Sequence, residues 1–260
     1  MREKIWPNGS YERVPWHHAE TGILKHALSN VDEICGYIDS SGAAVYVPNI
    51  HPSPADAWLM SAGAIPDGAK AVFHSHPRGP SAPSGMDMIY QYSSALPHGI
   101  ACPDGVFWFG DDVPTPSLVG RGFRHGVTDC YELIRDTYRL LWGVTLPHVP
   151  REWKWWKQGQ SLYNSGFRDA GFIEIDGSEI LPGDCIIFAV ASNVDNHAAV
   201  WLGDDLILHH LSSRLAHDPS RLSTVEHIGQ MGRFISKVVR YENGCINRAA
   251  CEEIRKEIRA

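Results

Sequence analysis

Two histidines, a serine and an aspartate lie close together in the segment HSHPRGPSAPSGMD. His74 and His76 belong to KAVFHSHP, which we expect to be a short buried strand, so both imidazoles point to the same side. Asp87 follows a loop rich in proline and glycine and can add a carboxylate oxygen. Three such ligands and one open position are typical of a catalytic zinc site. The sequence therefore predicts that His74, His76 and Asp87 bind Zn²⁺.

The spacing of this motif, HxH followed by seven residues and SxxD, resembles the JAMM signature of MPN-domain metallopeptidases. The resemblance spans about residues 18–112. It implies that Glu33, within EICGYI, is the general base and that Ser84 stabilises the oxyanion, whereas Glu20 is a weaker candidate for the base. The residue types alone leave other roles open, because Ser84 is also a good helix N-cap and Glu33 is also a plausible solvated charge.

A cysteine at the start of a helix is a second feature with chemical potential. In HGVTDCYELIR, Thr128 and Asp129 are good N-cap residues, which places Cys130 in the first turn. The positive end of a helix dipole favours a thiolate, so we expect a lowered pKa for Cys130. Taken alone, a cysteine at this position is more often a buried packing residue.

Histidines at the ends of two predicted strands give the thiol a partner. His197 begins one strand, and His209 and His210 end the next, after a tight turn. This hairpin brings the two strand ends together, as a nucleophile, base and orienting group require. Hairpin geometry leaves the choice between His209 and His210 open, since their side chains point to opposite faces.

Three segments, DCYELIR, LPGDCIIF and NHAAVWLGDDLILHH, resemble motifs of NlpC/P60 cysteine peptidases in the same order. The resemblance spans about residues 120–225. It implies that Cys130 is the nucleophile, that His197 is the general base and then acid, and that His209 orients His197. His210 is then structural, as are the remaining cysteines, which are Cys35, Cys102, Cys185, Cys245 and Cys251.

The elements that must position these residues fall into two halves. The front half reads as α/β, with helices predicted at 18–29, 54–64 and 84–96 and two hairpins. The back half begins with a helix over 130–142, and successive antiparallel strands follow, which is typical of an α+β domain. We therefore predict an MPN domain with a mixed sheet and helices over 1–112, a linker over 113–122, and a papain-like NlpC/P60 domain over 123–260.

Composition limits the function. The net charge is −7 and there is no long run of Lys or Arg, which argues against a nucleic-acid partner. We expect neither a secretory signal at the N-terminus nor a transmembrane segment, since no long apolar run is present.

Fusion of the two modules in this order resembles the tail-tip assembly proteins of lambda-like phages. That resemblance implies synthesis in the host cytoplasm, other tail-tip proteins as partners, a place at the virion tail tip, and cleavage of peptidoglycan stem peptides at the cell wall. The JAMM substrate stays open. Two alternatives are a structural assembly factor with dispensable active sites, and a cellular peptidase acting on ubiquitin-like tags or wall fragments.

Overall fold

The computed structural model describes residues 2–7, 12–244 and 246–259. Two compact units divide the chain, and each is described by itself. One comprises Tyr11–Thr115, and the other comprises Met1–Ser10 with Pro116–Ala260. No helix within the described ranges is both long and apolar enough to cross a lipid bilayer.

The N-terminal segment belongs to the second unit. Helix α1 spans Arg2–Ile5, and backbone hydrogen bonds join the carbonyls of Lys4 and Ile5 to the N–H groups of Leu118 and Val119. Ile5 and Leu118 are both buried in the core of that unit. Residues 118–119 are therefore packed structure, although the sequence places them in a linker over 113–122.

A five-stranded mixed sheet forms the centre of the Tyr11–Thr115 unit. In chain order its elements are α2 (Glu20–Leu28), β1 (Cys35–Ile38), β2 (Ala44–Val47), β3 (Ala71–Ser75), α3 (Gly85–Ser94), β4 (His98–Cys102) and β5 (Gly105–Phe109). The strand order is β2-β1-β3-β4-β5, and only β3 and β4 run parallel. Strand β3 is central and buried at every residue, so its apolar side chains Ala71 and Phe73 join the core with Ile23 of α2.

The helix predicted at 54–64 is wrong, because this stretch is irregular in the structure. Pro54 and Gly63 stand near its two ends, and the Asn49 side chain organises the loop between them. Asn49 donates to the backbone carbonyls of Glu33 and Ala57, and its Oδ1 accepts from the N–H groups of His51 and Leu59.

A six-stranded antiparallel sheet dominates the other unit, with strand order β12-β10-β9-β8-β13-β7; β6 and β11 form a separate pair. Its elements are β6 (Gly122–Arg124), α4 (Cys130–Trp142), α5 (Leu162–Gly166), β7 (Phe172–Ile175), β8 (Cys185–Phe188), β9 (His197–Gly203), β10 (Leu206–His209), β11 (His217–Leu222), β12 (Thr224–His227), β13 (Ile235–Tyr241) and α6 (Ala249–Arg259).

Helix α4 packs on this sheet through the apolar stripe that the sequence predicts. Leu133, Ile134 and Tyr138 are buried against Val200 of β9, and Gly143 ends the helix in the left-handed conformation. The predicted helix followed by an antiparallel sheet is confirmed, and it gives an α+β arrangement.

Candidate active sites

His74 and His76 lie at the end of the central strand β3 and face each other. His74 is paired with Cys35 of β1 and is fully buried, and His76 is 8% exposed. Their Nε2 atoms are 3.0 Å apart. The extended backbone therefore places both imidazoles on one side, as the spacing predicts.

Asp87 joins the pair from the first turn of α3. Its Oδ1 lies 3.3 Å from His74 Nε2, and its Oδ2 lies 3.4 Å from His76 Nε2. Ser84 is the N-cap of α3 and completes a capping box: its Oγ accepts from the Asp87 N–H, while its own N–H and hydroxyl each donate to Asp87 Oδ2 at 2.8 Å. Ser84 thus takes the N-cap role and fixes the Asp87 carboxylate; its oxyanion role stays a prediction.

The donor set fits a divalent transition-metal ion. One ligand atom from each of His74, His76 and Asp87 lies within 4.8 Å of the others, and all three residues are buried. His76 Nδ1 contacts the Pro80 carbonyl at 3.1 Å, so Nε2 is the nitrogen available to an ion. In metal sites the second ring nitrogen of a histidine ligand commonly makes such a contact. Trp58 stacks on His74 with ring centroids 4.9 Å apart.

Glu33 stands two residues before β1 and is 8% exposed. Burial raises the pKa of Glu33 to about 7; the His76 imidazole opposes the shift, and the carboxylates of Asp87 and Asp56 add to it. A carboxylate with this pKa suits proton transfer near neutral pH. Glu20, the weaker candidate, instead accepts a hydrogen bond from Trp108 Nε1.

The cysteine site begins at the N-terminus of α4. Asp129 is the N-cap, and its side chain accepts from the N–H groups of Tyr131 and Glu132. The Arg151 guanidinium holds the same carboxylate at 2.8 and 2.7 Å. Cys130, the first residue of the helix, is therefore held at a rigid, fully hydrogen-bonded turn.

The expectation of a lowered thiol pKa is wrong. Burial raises the pKa of Cys130 to about 11, and the neighbouring Asp129 carboxylate adds to the effect, against contributions from the Tyr163 hydroxyl, Arg151 and the Ala198 backbone N–H. Desolvation of the thiolate therefore favours the neutral thiol.

His197 and His209 are brought together across the β9–β10 hairpin. His197 Nε2 lies 3.1 Å from His209 Nδ1, and both residues are buried. Burial lowers the pKa of both imidazoles, and for His197 the neighbouring His209 and His210 lower it further. His210 points elsewhere, to the backbone carbonyls of Thr128 and Arg221. The pairing of His197 with His209 matches the assignment made from the motif.

A cavity of about 80 Å³ joins the thiol and the imidazole. Cys130 and His197 both line it, and the N–H of Ala198, the residue after His197, is directed at the thiol. The segment between α4 and β7 forms an aromatic wall with Trp153, Trp155, Trp156 and Tyr163. The Tyr163 hydroxyl lies 3.3 Å from Cys130 Sγ.

Three residues near these sites were missed in the sequence: Tyr163 at the thiol, Glu226 beside His209, and Trp58 on His74. None lies in a motif. Tyr163 belongs to a segment without regular hydrophobic periodicity, and Trp58 lies in the stretch 54–64, whose apolar spacing predicted a helix and gave no sign of a contact with His74. Glu226 sits in the short strand β12, where alternation alone gives no chemical signal.

Cys130 differs in exposure from the other cysteines that the structure describes. Cys130 is partly exposed, whereas Cys35, Cys102, Cys185 and Cys251 are buried; Cys245 lies outside the described residues. A cysteine that lines the same cavity as an imidazole is the one suited to attack a substrate.

Comparison with known proteins places this arrangement in a family. Residues 120–228 match the NlpC/P60 family. Tail tip assembly protein K of Escherichia phage lambda is 40% identical over 146 residues, which are 56% of this chain and 71% of that protein. The protein of the same name from Escherichia phage N15 is 28% identical over 233 residues, which are 85% of this chain and 93% of that protein.

A shorter match extends to a bacterial enzyme. The probable TtuB-protein conjugate cleaving protease of Thermus thermophilus is 37% identical over 70 residues, which are 23% of this chain and 47% of that protein. The two phage proteins match much more of this chain than the Thermus protein does. The lambda protein is 40% identical and is matched over 71% of its length, which shows the family. The chain therefore belongs to the family of phage tail tip assembly proteins K and carries an NlpC/P60 domain.

Proposed function

We propose that this tail tip assembly protein hydrolyses peptidoglycan stem peptides at Cys130 and carries a second, zinc-dependent peptidase site at His74, His76 and Asp87. The observation that carries the first activity is the cavity lined by both Cys130 and His197, with His209 hydrogen-bonded behind His197. The peptidoglycan substrate follows from the usual targets of NlpC/P60 peptidases. Its partners are other tail-tip proteins, its assembly takes place in the host cytoplasm, and its place of action is the tail tip at the cell wall.

The cysteine reaction starts from a neutral pair. As the substrate carbonyl approaches, His197 Nδ1 takes the Cys130 proton and Sγ bonds to the carbonyl carbon. The Cys130 and Ala198 N–H groups and the Tyr163 hydroxyl are the donors near the developing oxyanion. The C–N bond then breaks, and His197 returns its proton to the leaving amine. A water molecule, deprotonated by His197, releases the acyl group and restores the thiol.

The second site uses a different kind of group. When bound, zinc supplies Lewis acidity at the His74, His76 and Asp87 cluster. Glu33, with a pKa of about 7, takes a proton from the water that attacks the substrate carbonyl and passes it to the leaving amine as the C–N bond breaks. The buried donor set supports this proposal, and so does the short similarity to a protease whose name describes conjugate cleavage.

The test incubates the purified chain with defined muropeptides, with and without a chelator. We expect chelator-resistant cleavage of the stem peptide that Cys130→Ala abolishes and His74→Ala leaves unchanged. Cys102→Ala, which changes a buried cysteine of the other unit, is the matched control. Full turnover by folded Cys130→Ala would contradict the cysteine mechanism. No turnover by the wild type on any stem peptide would favour a purely structural role in the tail.

A further inference from the structure

A carboxylate stands at the end of the histidine pair. His209 uses Nδ1 toward His197 Nε2 at 3.1 Å and Nε2 toward Glu226 Oε1 at 3.0 Å. Glu226 reaches this position because β12 pairs with β10, with Ile207 opposite Glu226 and His209 opposite Thr224. Residues 224 and 226 share a face with 207 and 209, so the Glu226 side chain lies one step along from the imidazole.

Only one arrangement of protons satisfies the hydrogen bonds from His197 to His209 and from His209 to Glu226. An ionised carboxylate only accepts hydrogen bonds, so His209 carries its proton on Nε2. Neutral His209 then has a lone pair on Nδ1, and His197 must donate to it from Nε2. His197 is left with its lone pair on Nδ1, the only nitrogen with which it can take a proton from Cys130.

The opposite arrangement would be inactive. If His209 carried its proton on Nδ1, it would donate to His197 Nε2, and the proton of neutral His197 would lie on Nδ1. The base would then face the thiol with an N–H group. The histidine pair alone does not discriminate between these two states, since each contains one hydrogen bond between the rings.

We propose that Glu226 is a positioning residue that acts through His209 to hold His197 in the tautomer whose Nδ1 is free to accept the Cys130 proton. The proposal rests on the cysteine peptidase function and adds a fourth member to the Cys130–His197–His209 set. The Glu226 side chain is half-exposed, so its ion pair with His209 adds little to stability. Its role is to accept the hydrogen bond from His209 Nε2.

The surrounding charges support this reading. Burial opposes protonation of His209, and the Glu226 carboxylate is the charge that favours it. His197 faces His209, His210 and the Asp129 carboxylate, and Asp129 is already saturated by its cap bonds and Arg151. Asp129 makes no hydrogen bond to either catalytic histidine among the described contacts, which leaves Glu226 as the acceptor at the end of the chain.

The experiment measures tautomers directly and activity beside them. In the wild type, ¹⁵N NMR of histidine rings should show an unprotonated Nδ1 on His197 and a protonated Nε2 on His209. Glu226→Ala should give a mixture of tautomers and lower kcat by about tenfold or more, with KM nearly unchanged. The acid limb of the kcat/KM profile should move to lower pH, because the charge favouring protonated His209 is gone.

Two further variants make the result decisive. Glu226→Gln keeps an acceptor oxygen without the charge, so it should largely restore kcat while retaining the shifted acid limb. Glu174→Gln, an exposed strand glutamate of the same sheet, is the matched control and should change neither readout. An unchanged His197 tautomer in Glu226→Ala, with kcat equal to that of the control, would overturn the proposal. Because the NMR readout needs no substrate, it stays separate from a failure of the peptidase function.

Discussion

The two candidate sites share one device and differ in how the chain supplies their parts. In both, a side-chain cap fixes a functional residue in the first turn of a helix: Ser84 holds Asp87, and Asp129 precedes Cys130. The candidate metal site takes His74, His76 and Asp87 from one strand, the loop after it and the start of one helix. The cysteine site gathers Cys130, Tyr163, His197, His209 and Glu226 from five separate elements or segments.

Because of this difference, we expect different changes to disrupt the two sites. The cluster of His74, His76 and Asp87 depends on one strand, one loop and one cap, and the chemistry that we propose for it needs a bound ion. The cysteine site depends on strand register and on the aromatic segment between α4 and β7, and its proposed chemistry depends on proton positions. Perturbations should therefore separate the two sites cleanly.

Removal of a ligand should give the largest effect and should leave the cysteine site untouched. We expect about one zinc per wild-type chain by metal analysis and none in His74→Ala, because two remaining ligands hold the ion poorly. His26→Ala, which changes a histidine of α2 in the same unit, serves as the control and should keep its metal. If the wild type were well folded and purified in the presence of zinc but contained no metal, the proposed zinc site would be wrong.

The pH dependence of thiol alkylation should distinguish the cysteine site next. Because only the thiolate reacts and the pKa of Cys130 is raised to about 11, the rate with iodoacetamide should climb about tenfold for each pH unit through the neutral range. The modified residue is identified by mass spectrometry, with Cys130→Ser as the blank. A rate that is flat from about pH 5 to pH 8 would instead indicate a thiolate–imidazolium pair.

Loss of the Tyr163 hydroxyl should have a smaller effect, again confined to the cysteine site. Tyr163→Phe removes a hydroxyl that lies 3.3 Å from Cys130 Sγ and lowers the pKa of the thiol, so kcat/KM should fall about tenfold and alkylation at neutral pH should slow. Tyr131→Phe is the matched control, since that hydroxyl donates to the Pro147 carbonyl at 2.8 Å. Faster alkylation in Tyr163→Phe would mean that the ring shields the thiol and does not assist it.

The smallest expected effect tests the cap of the candidate metal site. Ser84→Ala removes the capping box of α3 and should lower the free energy of unfolding of the metal-free chain by about 1 kcal/mol. Urea unfolding measures this, and Ser93→Ala, at the exposed end of the same helix, should change little. Equal stability of the two variants would argue that Ser84 serves chemistry and not the helix.

The sequence was most informative where parts are adjacent. HxH on an extended segment already determines that two imidazoles share a side, and Asp129 before a periodic apolar stripe already determines a helix start at Cys130. Local spacing gave the wrong prediction for residues 54–64. Their apolar spacing is helix-like, but the Asn49 side chain holds them as a loop.

Residue types, spacing along single elements and the order of the motifs could all be predicted from the sequence. The contacts of Tyr163 with Cys130 and of Glu226 with His209, and the raised pKa of the thiol, follow from the fold. Desolvation and long-range hydrogen bonds depend on which surfaces exclude water together, and local spacing does not encode this. A helix end acts within one turn of the chain, whereas burial is imposed by segments that are distant along it.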